Sequence, residues 1–164
     1  MRPVTASQTI GPYWHMLADP AAADLTRFGA VGPRLALTGR VIDGTGSVVD
    51  DACIEIWQAT PRQSPEFPGW GRCATDATGG FRFLTLAPDA TAPYLAVNVL
   101  ARGLVKPLRT RVYFADIGDA LLAGLPANRR ATLIAREEAA GWRWDICLQG
   151  SGAPGGEETV FLEL

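Results

Sequence analysis

Residues 93–114, PYLAVNVLARGLVKPLRTRVYF, constrain the fold more than any other stretch of the chain. From Tyr94 to Ala101 the side chains alternate, with Leu95, Val97, Val99 and Ala101 on one face of an extended segment and Tyr94, Ala96, Asn98 and Leu100 on the other. Both faces are largely apolar, so this strand belongs in the interior of a sheet. Gly103 and Pro107 punctuate a turn, after which Leu108, Thr110, Val112 and Phe114 are expected to face inward and Arg109, Arg111 and Tyr113 the other way. Arg102 thereby falls at the end of a rigid element, where side chains meet ligands more often than they do in mid-strand.

The rest of the chain repeats this grammar of short apolar runs and turns. Strands are expected over 35–43 and 53–58 around a turn at 44–46, then over 73–75 and 81–86 around a turn at 76–80, with a proline-bearing loop at 61–71 between the two hairpins. A short helical possibility lies within 20–28 and another within 117–125. Residues 128–130 cap the connection into a pair formed by 131–136 and 142–149 around a turn at Gly141, and 159–164 reads as a closing strand. Many short strands with almost no helix predict an all-β fold, a β-sandwich of mainly antiparallel strands, with residues 1–34 as an N-terminal arm and connection and 35–164 as the sandwich domain.

Composition removes several function classes. With 164 residues there is enough chain for one domain that buries about two thirds of its unfolded surface, without help from metal or disulfides. Cys53, Cys73 and Cys147 are odd in number and lack CxxC spacing, so they read as small hydrophobes, and no signal-peptide core or membrane-length apolar run is present; the expectation is a reduced, cytoplasmic protein. A net charge of -2 with interspersed signs gives no footprint for nucleic acid. The single histidine, His15, leaves too few ligands for histidine-based metal centres, and no Ser-His-Asp order, nucleophile elbow or phosphate loop occurs. The adjacent pairs Asp50-Asp51 and Glu157-Glu158 point to opposite faces of an extended chain and are expected to be solvated.

What remains is recognition. Arg102 is a candidate carboxylate clamp, because a guanidinium grips a planar anion through two parallel hydrogen bonds; the plainer reading is a surface ion pair or an arginine lying over an aromatic ring. The aromatic arm of residues 1–17 has two readings as well. It packs across a sheet edge as a shield, or its Gly11-Pro12 turn delivers backbone and Tyr13 into a pocket.

Taken together, SQTIGPYWH at 7–15, GRVIDGTGSVVDDACIEIWQA at 39–59, GRCATDATGGFRFLT at 71–85, LARG and TRVYF within 100–114, and the ending LQG...GGEETVFLEL resemble the intradiol ring-cleaving dioxygenases, and within them the α subunits of the enzymes that open protocatechuate. The resemblance implies a heteromeric α/β assembly that uses O2 to open protocatechuate between its hydroxyl-bearing carbons, giving 3-carboxy-cis,cis-muconate. It implies an Fe(3+) held by the β subunit through two tyrosines and a His-x-His. Here Tyr94 and Ala96 stand where those histidines would be, no tyrosine lies between Tyr13 and Tyr94, and the loops 59–70 and 86–93 that would carry the tyrosine ligands are short. This chain is therefore expected to ligate no metal. By the same resemblance Thr9, Gly11, Pro12, Tyr13 and Arg102 line the partner's active site and bind its substrate. Eight residues separate Tyr94 from Arg102, about 26 Å of extended chain, so Arg102 is expected to serve a pocket other than the one near Tyr94. The rival from another class is a free-standing transthyretin-like β-sandwich binding module, a pattern that residues 39–57 share.

Overall fold

The computed structural model describes residues 9–11, 13–150 and 157–162, the side chains of His15 and Leu17 excepted. In chain order the strands are β1 (Arg34–Ile42), β2 (Cys53–Trp57), β3 (Trp70–Ala74), β4 (Gly80–Leu86), β5 (Tyr94–Leu100), β6 (Leu108–Tyr113), β7 (Arg136–Glu138), β8 (Gly141–Arg143) and β9 (Ile146–Cys147). Two single-turn helices, α1 (Ala120–Ala123) and α2 (Ala127–Ala131), and 3-10 turns at Trp14–Leu17 and Pro20–Ala23 complete the described elements. One sheet has the order β4-β1-β8-β7 with β9 added against β1, and the other has the order β3-β2-β5-β6. Pairing is antiparallel except where β8 and β9 run parallel to β1. The all-β sandwich expected from the strand pattern is what the chain forms.

The core lies between the sheets. Leu35, Leu37 and Val41 of β1 and Phe81 and Phe83 of β4 meet Ile54, Ile56, Leu95, Val97, Val99 and Val112 of the facing sheet, all buried. Each such side chain contributes about 1.5–3 kcal/mol on burial, so the period-two alternation of β5 alone fixes its register. Gly39 shows how closely the layers approach: a Cβ there would meet the Trp144 carbonyl oxygen at 1.8 Å and the Phe81 ring at 2.4 Å. Gln58, fully buried just past β2, donates to the carbonyls of Thr60 (2.6 Å) and Leu86 (2.7 Å) and accepts from the Thr85 hydroxyl (2.7 Å). A buried amide this well satisfied ties the 58–69 loop to β4.

Turn chemistry is repetitive. Asp43, Asp76 and Asp89 each accept from the backbone N–H and the hydroxyl of the threonine two residues on, an Asx turn in which the threonine hydroxyl first holds the carboxyl below its ordinary range.

Four expectations need correction. The two expected hairpins do not form: β1 pairs with β4 and β2 with β3, so the turns at 44–46 and 76–80 lead from one sheet to the other. Residues 131–135 do not begin a hairpin strand, because α2 occupies the first of them and only Arg136–Glu138 pairs with β8. The described part of the closing stretch, 159–162, forms no strand; it is held by single bonds from Thr159 N–H to the Cys147 carbonyl (3.0 Å) and Leu162 N–H to the Arg109 carbonyl (2.7 Å). The helical possibility within 20–28 contracts to Pro20–Ala23, capped by Asp19, and that within 117–125 to α1, capped by Asp119.

Candidate functional site

β5 delivers Arg102. The strand ends at Leu100, Ala101 is buried, and the chain reverses at Gly103, whose φ of 90° suits glycine. Leu100 pairs with Cys53 of β2, so carrying the antiparallel register two residues past the ladder brings Asp51 opposite Arg102. There the Arg102 Nε lies 3.0 Å from Asp51 Oδ2. The arginine side chain is 67% exposed while Asp51 is 22% exposed, and Oδ2 itself is occluded from solvent without a well-aligned hydrogen bond from any described residue. Asp51 therefore departs from the expectation that both members of its acidic pair are solvated. Glu157, of the other pair, departs too: it accepts from Asn128 Nδ2 at 2.7 Å.

The N-terminal arm reaches the same corner. The Thr9 hydroxyl donates to the Ala101 carbonyl at 3.1 Å, and the Trp14 indole N–H donates to the Asp51 carbonyl at 3.1 Å. Between these anchors Gly11 adopts φ 78°, a turn conformation open to glycine. The arm thus lies over the ends of β2 and β5, which are the two inner strands of their sheet, rather than along a sheet edge. Tyr13 is 71% exposed to solvent; Pro12 lies outside the described residues. A cleft of about 480 Å3 opens beneath the arm, with Ile10, Trp14, Trp70, Arg72 and Leu100 among its walls.

A second polar cluster occupies the far end of the β5–β6 pair. Tyr94 and Tyr113 are opposed in register with ring centroids 5.4 Å apart, and the Arg111 guanidinium carbon sits 4.0 Å over the Tyr94 ring. The Tyr113 hydroxyl donates to Asp119 at 3.0 Å and accepts from Arg111 at 3.3 Å. Tyr113 faces away from the main core as its parity predicts, yet it is fully buried, because Leu122, Leu133 and Val160 cover it. Burial pushes its phenol up to about 12.

This is where the resemblance would put metal ligands, and the donor set does not fit a ferric ion. Ala96 has no donor atom, the Tyr94 ring is covered by a guanidinium, and the Tyr113 hydroxyl is already committed to Asp119. A second positive charge at this spot would be repelled by Arg111. Among the described residues no group of three or more His, Cys, Asp or Glu converges to hold a metal, and Cys53, Cys73 and Cys147 are free thiols.

Trp57 is 48% exposed and its ring lies 5.9 Å from that of Trp70, making an aromatic platform on the outer face of the second sheet. Trp142 instead packs edge-on against Phe114 at 5.3 Å. Among the described residues no helix is long and apolar enough to cross a membrane.

Sequence reasoning singled out Arg102, Thr9, Gly11, Pro12 and Tyr13, and of these the fold brings Arg102, Thr9 and Gly11 to one corner. It missed Asp51 and the indole of Trp14. The available signal was the β2–β5 register, which sets Asp51 across from Arg102 once Cys53 is paired with Leu100.

No family profile matches the chain. Over 99% of its length it is 34% identical to the protocatechuate 3,4-dioxygenase alpha chain of Pseudomonas putida, of which it covers 97%. It is also 32% identical, over 92% of its length, to the beta chain of the Burkholderia cepacia enzyme, of which it covers 78%. The first alignment extends over 200 positions, more than the 164 residues here, so the relative carries insertions that this chain lacks. Among solved structures the chain is similar to the dioxygenase domain of a dioxygenase–carbohydrate-binding protein fusion from Streptomyces sp. SirexAA-E, with TM-score 0.61 and 21% identity over 77% of this chain and 86% of that one. That last likeness concerns the fold.

Proposed function

Since the chain belongs to the protocatechuate 3,4-dioxygenase alpha-chain family of intradiol ring-cleaving dioxygenases, we propose that it is the non-iron-binding alpha subunit of a heteromeric enzyme and completes an active site whose Fe(3+) is held by a homologous beta subunit. The substrates are protocatechuate and O2, and the product is 3-carboxy-cis,cis-muconate. When bound in the partner, the ferric ion supplies the redox chemistry of ring opening. This chain supplies walls and a cation. Arg102, at the end of β5, engages the negative charge of the bound catecholate or its ring carboxylate, and Thr9, Gly11, Pro12 and Tyr13 of the arm line the same cavity.

One observation supports this reading above the others: two segments more than ninety residues apart, the arm at Thr9 and the strand end at Ala101, are hydrogen-bonded together beside an arginine whose outer edge meets no described residue. A guanidinium so presented has its bidentate donor fork available, and a planar carboxylate is the complementary shape. Similarity over nearly the whole length of an alpha chain, and over 92% of this chain and 78% of a beta chain, supports the partnership, and no observation favours a free-standing binding module.

The test is to express the chain alone and with a beta chain. Alone it should take up no oxygen with protocatechuate and show no iron-tyrosinate colour; together both should be present. Within the complex, Arg102→Ala should raise KM or lower kcat by about tenfold or more, with iron content unchanged. Unaltered kinetics would reject the role of Arg102, and a ferric ion tightly held by the isolated chain would reject the division of labour.

A further inference from the structure

We propose that Asp51 is the positioning residue for Arg102, holding the guanidinium by its Nε edge so that both terminal amino groups face outward toward the substrate. The inference rests on the substrate-facing reading of Arg102 given above.

Asp51 stands on a rigid base. Its neighbour Ala52 is fully buried and is pinned through both backbone groups: Ala52 N–H donates to the Thr75 hydroxyl at 2.9 Å, and Thr75 N–H donates to the Ala52 carbonyl at 2.9 Å. Asp51 therefore projects from a fixed point. Arg102 does not, because it follows the last residue of β5 by two and is largely in solvent. In such a pair the carboxylate sets the geometry and the long, flexible cation adapts to it. An exposed arginine otherwise samples many rotamers, all but one of which must be given up when it grips an anion; an arginine already aligned loses far less.

The burial of Asp51 Oδ2 argues against an incidental surface pair. A carboxylate oxygen shut off from water is costly unless a charge answers it, and among the described residues that charge is Arg102, whose Nε lies 3.0 Å away as an ion pair rather than a well-aligned hydrogen bond. The same residue also organises the arm, through its carbonyl and the Trp14 indole. Asp51 thus joins the two segments that together form the proposed wall. It acts with its side chain on one and its backbone on the other, so a side-chain substitution separates the two roles.

The experiment uses the assembled alpha/beta complex with protocatechuate as the probe. Four forms are compared: wild type, Asp51→Ala, Arg102→Ala and the double variant, with Asp51→Asn, which retains an acceptor oxygen, as the conservative rescue. Asp51→Ala should raise KM by about five- to tenfold with kcat within about twofold, and Asp51→Asn should recover part of the loss. Iron content, subunit stoichiometry and thermal midpoint should stay near wild-type values, since the arginine side of the pair lies in solvent and Asp51→Ala removes the occluded carboxylate along with its partner contact, leaving no buried charge unanswered. In the Arg102→Ala background, removing Asp51 should change nothing further, the non-additivity expected of a residue that works through its neighbour. Wild-type KM in Asp51→Ala, a full additional loss in the double variant, or a loss that tracks with iron release or dissociation would each overturn the assignment. If Arg102→Ala is silent while Asp51→Ala is not, both the reading of Arg102 and this inference fail, and Asp51 acts on the arm instead.

Discussion

Arg102, in the turn just past β5, and Arg111, on β6, belong to the same strand–turn–strand unit and meet opposite fates. Arg111 has its face on the Tyr94 ring, an N–H on the Tyr113 hydroxyl and a carboxylate, Asp119, at 3.9 Å. Arg102 touches a single carboxylate through Nε and is otherwise in solvent, 67% exposed against 30% for Arg111. A guanidinium with its face on a ring and an amino group on a buried hydroxyl is a fastener. One whose fork is left open is available for recognition. The difference teaches that what a guanidinium is pressed against, and how much of it water still reaches, separates a structural cation from a binding one.

The sharpest way to test the fastener half is alkaline titration. Burial raises the Tyr113 phenol to about 12, whereas an unfolded tyrosine ionises near its ordinary value of about 10. Below pH 10 both states keep the proton and the contribution is fully present. Between about 10 and 12 the unfolded chain loses its proton while the folded one keeps it, so stability should fall by about 2 to 3 kcal/mol across that window and level off above it. Urea denaturation at pH 9, 10, 11 and 12 measures the loss, compared with Tyr113→Phe so that the contribution of the buried Cys53 thiol, also raised to about 12, cancels. Identical pH profiles for wild type and Tyr113→Phe would show that the phenol is not sealed in as described.

A smaller effect is expected from Arg111→Ala. It removes the stacking on Tyr94 and one hydrogen bond but leaves the bond from Tyr113 to Asp119, so the cost should be about 1 to 2 kcal/mol by urea denaturation at neutral pH. Arg111→Lys should recover only part of it, because an ammonium cannot both lie flat on the ring and reach the hydroxyl. A loss near zero would make Arg111 as free as Arg102 and dissolve the contrast.

What the sequence made legible follows from which interactions are periodic. β5 was readable because its inward set, Leu95, Val97 and Val99, recurs at every second residue and is fully buried. Tyr113 had the right parity but the wrong environment, since its cover comes from Leu122, Leu133 and Val160, contacts that no local pattern announces. Residues 159–162 alternate like a strand, yet the neighbours they find offer scattered donors and acceptors rather than a ladder. Arg102 and the arm were legible through resemblance. Asp51 was hidden because its partner in the chain, Asp50, is not its partner in space; the opposing residue is found across the β2–β5 ladder.

The smallest expected effect tests the recogniser half, and it is a near-absence. Arg102→Ala should shift the urea-derived stability of the chain by less than about 0.5 kcal/mol, because the pair with Asp51 is screened by water on the arginine side and the side chain packs little. The substitution leaves Asp51 Oδ2 without its cation, but the vacated space is at the surface, where solvent can enter and answer it. The measurement belongs beside the kinetic one: a variant that is catalytically crippled in the complex while unfolding like wild type alone is the signature of a group kept for something outside the chain. A loss of 2 kcal/mol or more would place Arg102 with Arg111 among the fasteners.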